Sequence, residues 1–216
     1  MLPGFIPSVT VLGAFTVAAL ILTITPGPDM TLFMGKTLTQ GRKAGIASVL
    51  GATCGLIIHT ILAAVGVSAL LAASEIGFTV LKIVGAAYLI WLAYQAIRNG
   101  SSLSLETVKT TKQPFHRVWL QGLGVNILNP KIVLFFVTFL PQFVSASDPN
   151  AVGKLLFLGA YFVALGLPIC ALMVFCASAF SGFLRSSPSF MRVFDWVFAG
   201  IMGSFALKLL VAKANN

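Results

Sequence analysis

Gly27-Pro28-Asp29-Met30-Thr31-Leu32-Phe33 and Asn129-Pro130-Lys131-Ile132-Val133-Leu134-Phe135 decide how this chain is read. Each stretch runs small or polar residue, proline, charge, two spacers, leucine, phenylalanine. Each puts a helix breaker and an ionisable group inside a hydrophobic run. Within lipid, broken backbone is tolerated only where protein buries it or water reaches it. A break that occurs twice therefore points to a binding site built where two related halves meet.

The surrounding composition sets the class. The 216 residues are 58% hydrophobic and 9% charged, with a mean hydropathy of +0.99. A soluble domain carries about 25% charged residues. The length suits one transmembrane domain, residues 1–216, with about six spans of roughly 20 to 25 residues each. The apolar stretches run from about Val9 to Met34 (broken at Pro26-Gly27-Pro28), Ala44 to Ala73, Phe78 to Ile97, Val118 to Val144 (broken at Asn129-Pro130), Val152 to Phe180 and Val193 to Leu210. Met1 to Pro7 carries no Lys or Arg, so the first stretch reads as a span and not as a cleavable signal.

The net charge of +9 does not mark a nucleic-acid binder, because the basic residues lie between apolar runs, as topology signals do. Lys36, Arg42 and Lys43 occupy loop one; Arg98, Lys109, Lys112 and Arg117 loop three; Arg185 and Arg192 loop five, with Asp195 close by. Loop two carries only Glu75, and loop four Asp148 and Lys154. The basic loops are expected in the cytoplasm and both termini outside; Lys208 and Lys213 in the tail oppose that orientation. Cys54, Cys170 and Cys176 all lie in apolar runs without a CxxC and read as small buried hydrophobes. No metal or cofactor is called for.

Residues 99–116 have linker composition. They divide the chain into a repeat over about 8–98 and another over about 117–212. With about three spans each, the halves must be oppositely oriented, which is the inverted-repeat arrangement of many secondary transporters. Aligning Pro28 with Pro130 also brings Gly51 onto Gly153.

At the first break, Pro26 and Pro28 remove two backbone donors. The carbonyls from Leu22 to Thr25 then need water, a side chain or a ligand. The helix restarting at Pro28 offers free N–H groups and a positive dipole end, where Asp29 is favoured. Such a site suits a zwitterion: N–H groups for its carboxylate, carbonyls and an acid for its ammonium. The plainer reading is a kink capped by Asp29, although an acid in lipid costs about 2.5 to 3.5 kcal/mol on insertion scales.

Asn126, Asn129, Pro130 and Lys131 form the second break. Lys131 lies near a helix restart, where the dipole disfavours a cation, so it needs compensation. Asp29 is the obvious partner; snorkelling to the surface is the alternative. Gly51, Gly55 and His59 recur at spacing four on one face of the second stretch, which allows close helix approach. His59 either carries protons or hydrogen-bonds at that interface, while His116 lies solvated in the basic loop. Trp91 and Tyr94 fit an aromatic belt, with Tyr88, Trp91 and Gln95 on one face. Glu75 and Lys82 read as interfacial anchors. The 18 phenylalanines fit core and lipid-facing packing, and Pro168, after Gly166, is a candidate kink into the same cavity.

With these residues in view, the chain resembles the lysine exporter (LysE) superfamily, in particular its homoserine/threonine-resistance (RhtB) branch. The likeness is carried by Thr25-Pro26-Gly27-Pro28-Asp29, by Gly45, Gly51, Gly55 and His59, by residues 85–94, and by Gly124-Val125-Asn126-Ile127-Leu128-Asn129-Pro130-Lys131. Asp29 stands where many members carry Asn. The resemblance implies a six-span protein of the bacterial inner membrane that exports amino acids or derivatives, driven by the proton gradient.

The expectation is thus an exporter of a small amino acid, tilted towards neutral ones because no intramembrane acid besides Asp29 is evident. Its partners are the amino acid, protons and lipid; a homo-oligomer is compatible with the sequence. A membrane-embedded thiol redox carrier would need a reactive cysteine near each break, and none is adjacent in sequence. An intramembrane enzyme would need an HExxH, Ser/His or paired-Asp pattern, and none is present.

Overall fold

The computed structural model describes residues 4–67, 112–145, 148–177, 179 and 188–211, with scattered helical positions between 80 and 98. Among these residues every regular element is helical. Helix α1 (Val9–Ile24) starts where the Ser8 hydroxyl accepts from the Val11 N–H at 3.4 Å. It stops at the proline pair, because neither Pro26 nor Pro28 can donate to the preceding turn. Helix α2 (Pro28–Gln40) leaves at a bend of 50°. Gly41, at φ 92°, makes the turn into α3 (Arg42–Leu62), a conformation that side chains with a Cβ rarely adopt. A π-helical turn, Ala63–Val67, extends α3.

After the linker come α4 (Phe115–Ile127) and α5 (Pro130–Leu134). Helix α5 runs on through a π turn, Phe135–Phe139, and a 3₁₀ turn, Leu140–Phe143. The bend between α4 and the segment Pro130–Phe143 is 51°. Helices α6 (Ala151–Phe175) and α7 (Pro188–Val211) complete the described chain. Arg42–Gly66 and α6, each of 25 residues, are long and apolar enough to cross a bilayer alone; α1 with α2, and α4 with Pro130–Phe143, are apolar enough together, each as a broken span or a re-entrant loop. Ile57, Ile61, Leu62, Leu172 and Phe175 are exposed, as lipid-facing positions should be.

Packing brings the two breaks together. Phe135 lies 4.8 Å from Phe162 and 6.0 Å from Phe15 between ring centroids, tying α5 to α6 and α1. The crossing of α3 over α4 is made of glycine. A Cβ on Gly51 would run into the Trp119 carbonyl, and one on Gly122 into the Ser48 carbonyl. Gly153, by contrast, faces the Phe5 side chain. Its alignment with Gly51 therefore pairs positions that pack differently.

Helix α6 continues through Pro168 without a break. Helix α7 begins at Pro188, ahead of the apolar stretch read from Val193, so Asp195 is a buried residue within the helix and not a loop flank. It is a further acid inside the helical region, where the sequence reading counts only Asp29. The end of the linker is fastened to α2: Lys36 Nζ donates to Gln113 Oε1 at 2.7 Å, and the Gln113 N–H to Gln40 Oε1 at 2.9 Å. Trp91 and Tyr94 are exposed, and Arg98 donates to the Tyr94 hydroxyl at 2.7 Å. Tyr88, Glu75, Lys82, Arg185 and positions 99–111 lie outside the described residues, as does part of the third stretch.

Candidate functional site

In an unbroken helix the N–H groups at positions 26 and 28 would bond the carbonyls of Leu22 and Ile24. Proline has none to give. The chain adjusts locally: the Thr25 N–H and hydroxyl both close on the Ile21 carbonyl, at 2.9 and 2.6 Å. The last carbonyls of α1 are reached from elsewhere. Lys131 Nζ donates to the Thr25 carbonyl at 2.8 Å and to the Leu22 carbonyl at 3.2 Å. Gly27 makes room for it, since a Cβ there would lie 3.2 Å from that ammonium.

The reverse service runs from the second break to Asp29. One carboxylate oxygen, Oδ2, accepts from Asn129 Nδ2 at 2.7 Å and from Asn126 Nδ2 at 3.0 Å. Asn129 works twice, because its Oδ1 accepts from the Lys131 N–H at 3.0 Å and caps α5. The Asn126 carbonyl, denied a donor by Pro130, accepts from the Asn129 N–H at 3.1 Å and faces His59 Nε2 at 3.4 Å.

The expected contact between Asp29 and Lys131 is therefore not made: the two are not in ion-pair distance, and each is held by neutral groups of the opposite break. The physical reason is the orphaned carbonyls. A lysine with three donors satisfies two of them at once, and the two asparagine amides satisfy the acid.

Between the breaks lies a cavity of about 70 Å³, room for roughly five water-sized molecules at about 15 Å³ each. Thr25, Asp29, Asn126 and Lys131 supply polar lining, and Met30, Phe33, Val49 and Phe162 are among its apolar walls. Two buried acceptors here have no donor from the protein, Asp29 Oδ1 and Asn126 Oδ1. Helix α2 also begins without a side-chain cap, so its first-turn N–H groups remain open to a partner. The cavity thus offers open oxygen acceptors and uncapped N–H groups at the start of α2, set among hydrocarbon.

The structure brings Asp29, Asn126, Asn129 and Lys131 together, around the turn made by Pro26, Gly27 and Pro28, with Pro130 opening α5. His59 stands behind them. It does not line the cavity; its ring stacks on Phe136 at 5.7 Å. Cys170 does line it. No cysteine is near either break along the chain, but α6 carries this one there through space. The sequence pointed to this helix through Gly166 and Pro168 but not to the thiol; Gly166 and Leu167 line the cavity beside it. Among the described residues no three His, Cys, Asp or Glu side chains converge on a metal-sized site.

Comparison with known proteins agrees over nearly the full chain. A family model described as LysE type translocator matches residues 20–213. The chain is 32% identical over 203 residues to an uncharacterized membrane protein, YrhP, of Bacillus subtilis (strain 168), spanning 90% of this chain and 96% of the relative. It is 28% identical over 203 residues to a homoserine/homoserine lactone efflux protein of Salmonella typhimurium, spanning 94% and 96%. It is 24% identical over 196 residues to a leucine efflux protein of Enterobacter sp. (strain 638), spanning 90% and 92%. No solved structure gives a significant match.

Proposed function

This chain belongs to the LysE type translocator family, and from that premise we propose that it exports a small neutral amino acid or derivative across the bacterial inner membrane. Homoserine, threonine and leucine are the class in view, and the names of two relatives carry homoserine and leucine. Export runs by proton antiport with alternating access. Repeats over about 8–98 and 117–212, oppositely oriented, rock about the two breaks; the near-equal bends of 50° and 51° support that division. The basic loops face the cytoplasm, Arg42 and Lys43 lie at the inner mouth, and both termini face outward.

The observation that carries this reading is the exchange of partners between the breaks around a cavity holding an open carboxylate oxygen. Asp29 Oδ1 is buried and without a donor, and a buried acceptor left unpaired costs about 1–3 kcal/mol. A substrate ammonium supplies that donor. The substrate carboxylate takes the first-turn N–H groups of α2, where the dipole favours an anion, and the remaining N–H of Lys131. The side chain lies against Met30, Phe33, Val49 and Phe162, which reward an aliphatic group and offer nothing to a second charge. Asp29 is also the group placed to exchange a proton when the ammonium leaves.

Overexpression in a host challenged with homoserine, threonine, leucine and their analogues tests this directly. The wild-type chain should raise tolerance and speed efflux of at least one of them. Asp29→Asn and Lys131→Ala should insert at wild-type levels and lose export. Unchanged efflux in both variants would remove these residues from the mechanism.

A further inference from the structure

Lys131 is badly placed for its own helix and well placed for another. It stands in the first turn of α5, at the positive end of that dipole. Its ammonium reaches instead to α1, at the Leu22 and Thr25 carbonyls, 3.2 and 2.8 Å away. Those carbonyls close a helix that ends in mid-bundle, so they carry the negative end of its dipole. Leu22 lacks its helix donor because Pro26 follows, and Thr25 lacks its own because the chain bends by 50° at the break. The neighbouring residue is Gly27, whose missing Cβ leaves the space the ammonium fills. The seat is made of hard main-chain oxygens, with the Asp29 carboxylate on the same cavity. At broken transmembrane helices such carbonyl ends hold Na⁺.

We propose that Lys131 is a resident cation, occupying a monovalent-metal seat of the Na⁺ class at the end of α1, so that the protein carries this charge covalently and works without Na⁺. Two N–H groups of the ammonium fasten it to the carbonyls, and the third faces the cavity. There it couples whatever binds beside Asp29 to the end of α1. Cutting the side chain back to Cβ uncovers both carbonyls and leaves the acid nearby, which is a site a small hard cation can enter. The consequence for transport rests on the export reading above; the seat itself does not.

The test is thermal unfolding of the purified, detergent-solubilised protein in NaCl against choline chloride at equal ionic strength. Wild-type protein should melt at the same temperature in both salts. Lys131→Ala should be less stable in choline and recover in Na⁺, its Tm rising by about 3–6 °C at a Na⁺ concentration ten times the dissociation constant. Lys131→Ser, whose hydroxyl adds an oxygen donor, should behave alike. Equal melting of both variants in the two salts overturns the proposal, and so does Na⁺ stabilisation or Na⁺-dependent export of the wild type. Failure of both variants to accumulate folded in Na⁺ medium counts against it too, because an ion in the seat should replace the lost partner. A wild type that exports no amino acid would overturn the transport reading and leave this readout standing.

Discussion

Pro130 and Pro28 bend their helices by nearly the same angle, 51° and 50°, yet the two breaks satisfy their backbones by different means. At the second break the chain serves itself. Asn129 caps α5 with its side chain and closes the Asn126 carbonyl with its own N–H. At the first break Gly27 offers α2 no side-chain cap, and the last carbonyls of α1 wait for Lys131. One break is a supplier of donors and the other a receiver. The frame is bent alike at both breaks, and the chemistry of the breaks is not alike.

After the loss of Asp29 or Lys131, the largest effect should come from Asn129→Ala, because that residue serves both breaks. Its cap on α5 is worth about 0.5–2 kcal/mol, and its bond to Asp29 is lost as well. Export should fall by about tenfold, the scale of one to two lost hydrogen bonds. At the receiving break, Thr25→Val removes only a hydroxyl bonded within α1 and should leave export near wild type. Efflux rates and thermal melts of the pair check this; equal damage from the two would erase the difference between the breaks.

A smaller effect is expected at His59. Its bond to the Asn126 carbonyl is long, 3.4 Å, and its ring stacks on Phe136. His59→Phe keeps the stack and should retain export within about threefold, the worth of a weak hydrogen bond. Loss of proton-driven export in that variant, with facilitated exchange intact, would make His59 a proton carrier and shift chemistry towards the supplying break.

The smallest effect belongs to a contact away from both breaks. Asp148 pairs with Lys154 at the start of α6, and its carboxyl is held below its ordinary value of 3.8, first by that ammonium and then by the Asn150 N–H. A lowered folded-state value means the stabilisation is complete above 3.8 and fades as acid carries the pH below it. Asp148→Asn should cost about 1 kcal/mol at neutral pH, the upper end for pairs that water still reaches. It should also flatten the acid limb of the melting profile without touching export.

Much of this was legible in the chain. Prolines beside ionisable groups in apolar runs are conspicuous, so Asp29, Asn126, Asn129 and Lys131 stood out, and the glycine spacing placed Gly51 and Gly55 on the face that meets α4. The pairing was not legible. Sequence offers opposite charges to one another, but an orphaned carbonyl has no letter, so the destination of Lys131 was hidden. Cys170 was hidden differently. It lies on an unbroken helix, far along the chain from either break, and only packing brings it to the cavity. Asp195 was read with the basic loop beside it, because hydropathy alone does not show that the helix starts back at Pro188 and buries this acid.

Cys170 gives the most direct measurement of the central claim, that the hollow between the breaks is where the solute sits. In a chain with Cys54→Ser and Cys176→Ser, a small methanethiosulfonate reagent should label Cys170. Substrate at ten times its dissociation constant should slow that labelling about tenfold. A labelling rate unchanged by any amino acid that the protein demonstrably exports would place the solute elsewhere and contradict the account.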